Sequence, residues 1–245
     1  MADSTVLLID GDQYLYRSCA AVETEIRWDD ENHVLYSNIE EAWELITESI
    51  KALQHLFDTK DYVLCLTGPD NFRKKIDPTY KGHRINRKPL CWADCRARLI
   101  EAYNTMELPH LEADDVMGIL ATKPGSTDTK IIVAMDKDMK TVPAHVWNGK
   151  ELCQYDEEQA DYWHMYQTLT GDSSDGYKGG PGVGPGKAEK VRKVAPPQSG
   201  GEQGVGCYTR AGLTEEDALV QARLARILRW SDWDSEKKEP ILWQP

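Results

Sequence analysis

Three short apolar runs limit how this chain can fold. Val6–Ile9, Tyr62–Leu66 and Ile131–Met135 are rich in β-branched residues and leucine, and each is followed closely by Asp, Gly or Pro. Such runs read as strands buried on both faces, as in a parallel sheet. Between the first two, Ile39, Ala42, Trp43, Ile46, Ile50, Leu53 and Phe57 recur at the helical period, with acids on the opposite face. Further helical patterns cover 93–103 and 114–121. Alternating strands and helices predict βαβ units and an α/β fold with a parallel-sheet core. Ligands bind such sheets at the carboxyl ends of the strands.

Carboxylates fall at those ends. Asp10 and Asp12 close the first run, and Asp136 and Asp138 the third. Glu112, Asp114 and Asp115 open the helix at 114, while Asp172 and Asp175 lie in Gly171-Asp172-Ser173-Ser174-Asp175-Gly176. Each group alone has an ordinary reading, as a turn or as the acidic first turn of a helix. Brought together by a parallel sheet they repel, and cations make the cluster tolerable. Oxygen ligands favour Mg²⁺ or Mn²⁺ over zinc, and this number of acids suits two ions acting on a phosphate. With Asp70 added, the groups other than Asp12 account for most of the formal charge of −12.

A basic block offsets the acids. Arg73, Lys74, Lys75, Lys81, Arg84, Arg87, Lys88, Arg96 and Arg98 stand against only Asp77 and Asp94, with Tyr80, His83 and Trp92 interleaved. That pattern predicts capture of a phosphate backbone with rings available for stacking, and makes Arg73, Tyr80, Arg87 and Lys88 candidate DNA contacts. Beyond about 154 the texture changes to a helix over 157–169, a glycine-rich hairpin over 178–187 and a short basic helix to 194. A Pro/Gly loop over 195–201 and a helix over 214–230, opened by a Thr214/Asp217 capping box, complete the chain. Gly182, Gly184 and Gly186 permit backbone N–H groups to face a phosphate, with Lys187 and Lys190 beside them. The expected division is a catalytic core over 1–155 and a DNA-binding region over 156–245.

The six cysteines are scattered. Cys91 and Cys95 lie one helical turn apart without a companion CxxC pair, so the spacing supports free thiols in a reducing compartment rather than a zinc site. No apolar run approaches ~20 residues and no basic leader precedes one, which argues against a signal peptide or membrane span and for a cytoplasmic protein.

The order of motifs resembles the 5′-nuclease (flap-endonuclease) superfamily, and within it the 5′→3′ exonucleases of short-tailed phages related to T-seven. The matching stretches are Leu7-Leu8-Ile9-Asp10-Gly11-Asp12, Asn71-Phe72-Arg73, Asp77-Pro78-Thr79-Tyr80-Lys81-Gly82-His83-Arg84 and Leu111-Glu112-Ala113-Asp114-Asp115-Val116-Met117-Gly118. Asp136-Lys137-Asp138-Met139-Lys140-Thr141, Trp163-His164, Gly171–Tyr177, Ala225–Arg229 and Leu242–Pro245 follow. The resemblance implies a PIN/5′-nuclease-like core with a C-terminal helix–three-turn–helix DNA-binding unit at the hairpin. It implies two divalent metals held by Asp10, Glu112, Asp114, Asp115, Asp136, Asp138, Asp172 and Asp175. Lys81 and Arg84 would assist at the scissile phosphate, and K⁺ would sit at the hairpin. The implied substrate is duplex DNA with 5′ ends, nicks or flaps, extending to RNA–DNA hybrids. The implied setting is a monomer working with phage replication proteins in the host cytoplasm.

Three departures stand out. Thr67-Gly68 replace an acid that the family carries after its second strand, and the nearest carboxylate, Asp70, is displaced along the chain. The stretch between Arg84 and Glu112 is short for a helical arch, and the hairpin reads Gly-Pro-Gly-Lys where relatives have Gly-Pro-Lys. Two other readings begin from the same residues. A haloacid-dehalogenase-type phosphatase would use Asp10-Gly11-Asp12 but has no need of the basic block. A non-catalytic DNA-binding module would not keep acids that repel phosphate. A PIN-type ribonuclease is a nearer neighbour, but commonly lacks the C-terminal unit.

Overall fold

The computed structural model describes residues 4–29, 31–194, 208 and 213–245, the side chains of 190–194 excepted. The three apolar runs form strands β1 (Thr5–Asp10), β4 (Asp61–Leu66) and β6 (Thr129–Val133). They sit side by side in a six-stranded sheet of order β5-β4-β1-β6-β7-β8, with β5 (Thr105–Glu107), β7 (His145–Trp147) and β8 (Leu152–Gln154) outside them. All neighbours pair in parallel except β7 with β8. The short strands β5, β7 and β8 carry too little apolar sequence to stand out before folding. A separate antiparallel pair joins β2 (Glu23–Arg27) to β3 (His33–Ser37).

The chain builds the sheet outward from β1, first through β4 to β5, then back across to β6 and β7. The carboxyl ends of β1 and β6 therefore flank the point where strand order reverses, the usual ligand crevice of such sheets. Asp10 ends β1, and Asp136 lies just beyond β6.

The sheet is covered on both faces. Helices α1 (Gly11–Ala21), α2 (Ile39–Leu56) and, after the single turn α3 (Arg73–Ile76), α4 (Trp92–Ala102) follow; α1, α2 and α4 bury Leu15, Ala42, Ile46, Ile50, Cys95 and Leu99 against Leu7, Ile9, Leu64, Leu66, Ile131 and Val133. Helix α5 (Ala113–Thr122) packs Val116, Met117 and Ile119 on Leu8, Cys65 and Ile132 of the other face. The C-terminal segment returns to this second core through Ile227, Leu228 and Trp233. Gly118 makes that return possible, because a Cβ there would lie 2.3 Å from the Leu228 carbonyl oxygen.

Helix α6 (Glu157–Thr170) is followed by a tight loop and by α7 (Pro185–Val194). In the loop Gly171 and Gly179 adopt φ of 70° and 66° and their backbones pass so closely that a Cβ on either would meet the other strand of the loop at 2.4 Å or less. The expected helix over 214–230 is shorter, Glu215–Ala225. Beyond it the Arg226 guanidinium and the Arg229 backbone N–H both donate to Asp232, while the Arg229 guanidinium donates to the Thr141 carbonyl at 3.0 Å and pairs with Asp161 at 2.7 Å. The loop expected over 195–201 lies outside the described residues. No helix among the described residues is long and apolar enough to cross a membrane.

Candidate active site

The acids converge on one groove of about 1140 Å³, lined by Asp10, Asp12, Glu112, Asp114, Asp136, Asp138 and Asp175 together with Lys81 and Arg84. Local chemistry fixes each. Asp10 is the N-cap of α1, accepting from the Gln13 backbone N–H at 3.0 Å. Glu112 is the N-cap of α5 in a capping box closed by Asp115, which leaves Asp114 free to face the groove from the first turn. Asp136 caps the 3₁₀ turn Lys137–Thr141 by accepting from the Asp138 N–H. Asp175 is carried in by the loop whose backbone carbonyl accepts from the Lys81 N–H at 2.8 Å.

The groove holds two groups of acids. Burial, then the charges of Asp12 and Asp136, push the Asp10 carboxyl up to about 7. Burial and the charges of Asp10 and Asp136 hold Asp114 well above the usual carboxylate range. At the other end, burial and then Asp136 push Asp138 up to about 7, with Asp172 and Asp175 adding to the effect. Asp138 also accepts from the buried amide of Gln167. Among the described residues no three carboxylates bring one oxygen each within 4.8 Å of one another. The acids face a common groove without forming such a close triplet.

Between the two groups lies a charged bridge. Burial opposes the ionised form of Glu112, but Lys81 and Arg73 outweigh it and hold the carboxyl down at about 2. The Lys81 Nζ lies 2.5 Å from Glu112 and 3.5 Å from Asp175. The Tyr80 hydroxyl sits between the same two carboxylates, at 3.0 and 2.9 Å. Arg84 reaches Asp175 at 2.7 Å and the Ser174 carbonyl at 3.1 Å.

Several expected assignments change. Asp115 is fully buried, and its oxygens are consumed by Arg73 and by the N–H groups of Glu112 and Leu228, so it has no lone pair left for a cation. Arg73 is 3 % exposed and binds Asp115, Glu112 and the carbonyls of Leu224 and Arg226, so it anchors the fold rather than a DNA backbone. Tyr80 is 2 % exposed, so its ring supports the site from below and offers no face to a base. Asp172 is buried behind the groove lining, accepting from Ser174 and paired with Lys137 at 2.8 Å. Asp70 is exposed at φ 59° and outside the groove lining. Asp12 lines the groove and accepts from the Thr67 N–H at 2.8 Å.

Besides Arg73, Lys81 and Arg84, three further members of the basic block are paired within the chain: Arg87 with Glu23, Arg96 with Glu107 and Arg98 with Glu40. Lys88 lies over the rings of Trp92 and Tyr16, and all three line the outer groove with Arg17, Asn86 and Arg96. The stretch from Arg84 to α4 contains no helix. In the hairpin, Lys187 Nζ donates to the Gly182 carbonyl at 2.8 Å, while Gly184 and Gly186 are open to solvent. The Lys190 side chain lies outside the described residues.

Sequence reasoning missed the roles of Arg73, Tyr80 and Gln167. The spacing of Glu112 and Asp115 matches a capping box and could have assigned Asp115. The partners of Arg73 lie more than a hundred residues away at Leu224 and Arg226, and no local pattern announces them.

Residues 5–162 match the family described as 5′-3′ exonuclease, N-terminal resolvase-like domain. The chain is 31% identical to the exonuclease of Escherichia phage T7 and to the exodeoxyribonuclease of Enterobacteria phage T3, in each case covering 99% of this chain and 94% of the relative. Its fold is similar to that of a bacteriophage T5 flap endonuclease in a pseudo-enzyme–product complex with DNA and metal ions, with TM-score 0.65 and 13% identity over 90% of this chain and 88% of that one. A T5 5′-exonuclease with bound zinc gives TM-score 0.60 and 14% identity over 91% and 89%.

Proposed function

The chain belongs to the 5′-3′ exonuclease family, and from that premise we propose that its groove hydrolyses phosphodiester bonds at DNA 5′ ends with two divalent cations, Mg²⁺ or Mn²⁺. As a metal-dependent 5′→3′ exonuclease it takes DNA as substrate, and nicked and flapped duplexes and RNA-primed 5′ ends belong to the proposed range. One observation carries the reading: six carboxylates, Asp10, Glu112, Asp114, Asp136, Asp138 and Asp175, line a single groove with Lys81 and Arg84.

The donor set fits such ions. All donors are carboxylate oxygens, which suit hard cations, and the raised Asp10, Asp114 and Asp138 are acids whose charge lacks compensation. Asp10, Asp114 and Asp136 would hold one ion and Asp138 and Asp175 the other, with Glu112 between and Asp172 supporting from behind. When bound, divalent cations stabilise charge on phosphoryl oxygens and make water nucleophilic at neutral pH.

The chain's own residues do the rest. Lys81 is held at the groove floor as a cation, because burial opposes its charge but Glu112 and Asp175 more than restore it. It is placed to donate to a phosphate oxygen as charge develops there. Arg84 is half-exposed beside Asp175 and can reach a phosphate on the solvent side. Tyr80 keeps Glu112 and Asp175 at a fixed separation. The product ends are a 5′-phosphate and a 3′-hydroxyl.

Residues 1–155 form the proposed catalytic region and 156–245 the DNA-binding region. The turn Lys178–Gly184 leading into α7 is the proposed helix–three-turn–helix element, with its backbone as the K⁺ and phosphate contact. A monomer acting with phage replication proteins in host cytoplasm suits this activity. The test uses 5′-labelled blunt, nicked and flapped duplexes, with Mg²⁺, with EDTA, and with Asp136→Ala. Release of 5′ products that stops with EDTA and with the substitution supports the reading. Activity surviving both overturns it.

A further inference from the structure

Three cysteines from two helices meet inside the first core, far from the acids in chemistry if not in chain order. Cys19 lies near the end of α1, Cys91 is the N-cap of α4, and Cys95 follows one turn later. All three are buried, and one sulfur from each lies within 4.8 Å of the other two. We propose that Cys19, Cys91 and Cys95 form a separate three-sulfur site for one soft d¹⁰ cation, Cu⁺ or Zn²⁺.

The geometry is close to what coordination needs. Metal–sulfur bonds of ~2.3 Å set the sulfurs of one site about 3.8–4.0 Å apart, so each has under about 1 Å to move. The helical bond from the Cys95 N–H to the Cys91 carbonyl, at 3.0 Å, fixes two of the three on one face of α4. Two features suit Cys91 to a ligand position. Cys91 sits at a helix N-terminus, where the dipole stabilises negative charge. The Ser37 hydroxyl, delivered by β3, donates to the Cys91 sulfur at 3.0 Å. Without a cation Cys19 and Cys95 keep their protons: burial, then the hydrogen bonds and charges of the neighbouring cysteines, raise Cys19, and burial raises Cys95 to about 11. Each sulfur that coordinates releases its proton to solvent, and the cation supplies the positive charge that this pocket lacks. Thiolate sulfur selects Cu⁺ and Zn²⁺ over the hard ions proposed for the carboxylate groove, so the two sites sort metals by ligand softness. A bound ion would clamp α1, which Asp10 caps, to α4.

The site is tested on reduced full-length protein in excess Mg²⁺, with Cd²⁺ as probe, because thiolate-to-metal charge-transfer absorption reports sulfur ligation alone. The expected result is a band that saturates at one Cd²⁺ per chain, is unchanged in Cys153→Ala and is lost in Cys19→Ala and Cys95→Ala. Cys91→Ser, which nearly conserves volume, replaces either variant that does not fold. Competition with a chromophoric Cu⁺ chelator and with Zn²⁺ then identifies the preferred ion. Absence of the band in the wild-type protein at equimolar Cd²⁺, or a band that survives in Cys19→Ala and Cys95→Ala, overturns the proposal. Neither outcome bears on nuclease activity.

Discussion

Arg73 and Asp115 face each other through two parallel hydrogen bonds of 2.7 and 2.8 Å, both out of solvent. The same guanidinium binds Glu112 and the carbonyls of Leu224 and Arg226, so one side chain ties the start of α5 to the end of the C-terminal helix. Removing either partner strands the other charge in the interior. Arg73→Ala and Asp115→Ala should each destabilise the fold by ~3–5 kcal/mol, read as a lower urea midpoint. A normal midpoint in Asp115→Ala with weakened Mg²⁺ binding would return Asp115 to the ligand set.

Lys81 contacts Glu112 at 2.5 Å and Asp175 at 3.5 Å. Lys81→Ala should lower the single-turnover cleavage rate about 10²–10³-fold while changing DNA affinity little, since the donor acts on charge that develops during reaction. Rapid-quench assays at saturating enzyme measure the rate, and a filter-binding titration in Ca²⁺ measures the affinity. A loss confined to affinity would make Lys81 a binding residue.

Cation removal should weaken the fold in a pH-dependent way. The folded pKa of Asp10 and of Asp138 lies at about 7, above the ordinary value of 3.8. Their contribution to stability is therefore complete below about 3.8 and lost as pH rises through about 7. Mg²⁺ replaces the missing protons, so the difference in melting temperature between Mg²⁺ and EDTA should grow from pH 5.5 to pH 8. A difference independent of pH would mean that these acids do not bind the ion.

His164 should make the protein acid-sensitive. Burial, reinforced by the charge of Arg226, holds its ring down at about 3, and the neutral ring donates to the Ala222 carbonyl at 2.8 Å. A base with a depressed folded pKa contributes stability above its ordinary value of 6.5 and loses it as pH falls towards about 3. The slope should be about 1.4 kcal/mol per pH unit in that window. Urea unfolding of His164→Gln, which can keep a donor for Ala222 without titrating, should show a flatter acid limb than the wild type. Parallel limbs would assign the acid transition to other groups.

The parallel sheet was legible because buried strands announce themselves. Val6–Ile9 and Tyr62–Leu66 are apolar on both faces, and they pair in parallel from Val6 opposite Asp61 to Asp10 opposite Cys65. The helices at Ile39, Trp92, Ala113 and Glu157 followed from the pattern of apolar residues to within a residue or two. Strands β5, β7 and β8, three residues each, carry no such signal.

The acids divide the same way. Sequence by itself placed Asp10 and Asp136 at the carboxyl ends of strands and Glu112 and Asp114 at the start of a helix, because local periodicity sets those ends, while the sheet order decided that the two strands are neighbours. The resemblance in motif order implied that Lys81 and Arg84 travel with them. Only the tertiary structure decided that Asp115 and Arg73 satisfy each other rather than a cation and a phosphate, that Tyr80 lies beneath the site, and that Cys19 joins Cys91 and Cys95. Those outcomes rest on which charges and sulfurs lose their water together. That depends on contacts such as Arg73 with Arg226 and Cys19 with Cys95, whose members are distant along the chain and meet only when the two faces of the sheet are packed.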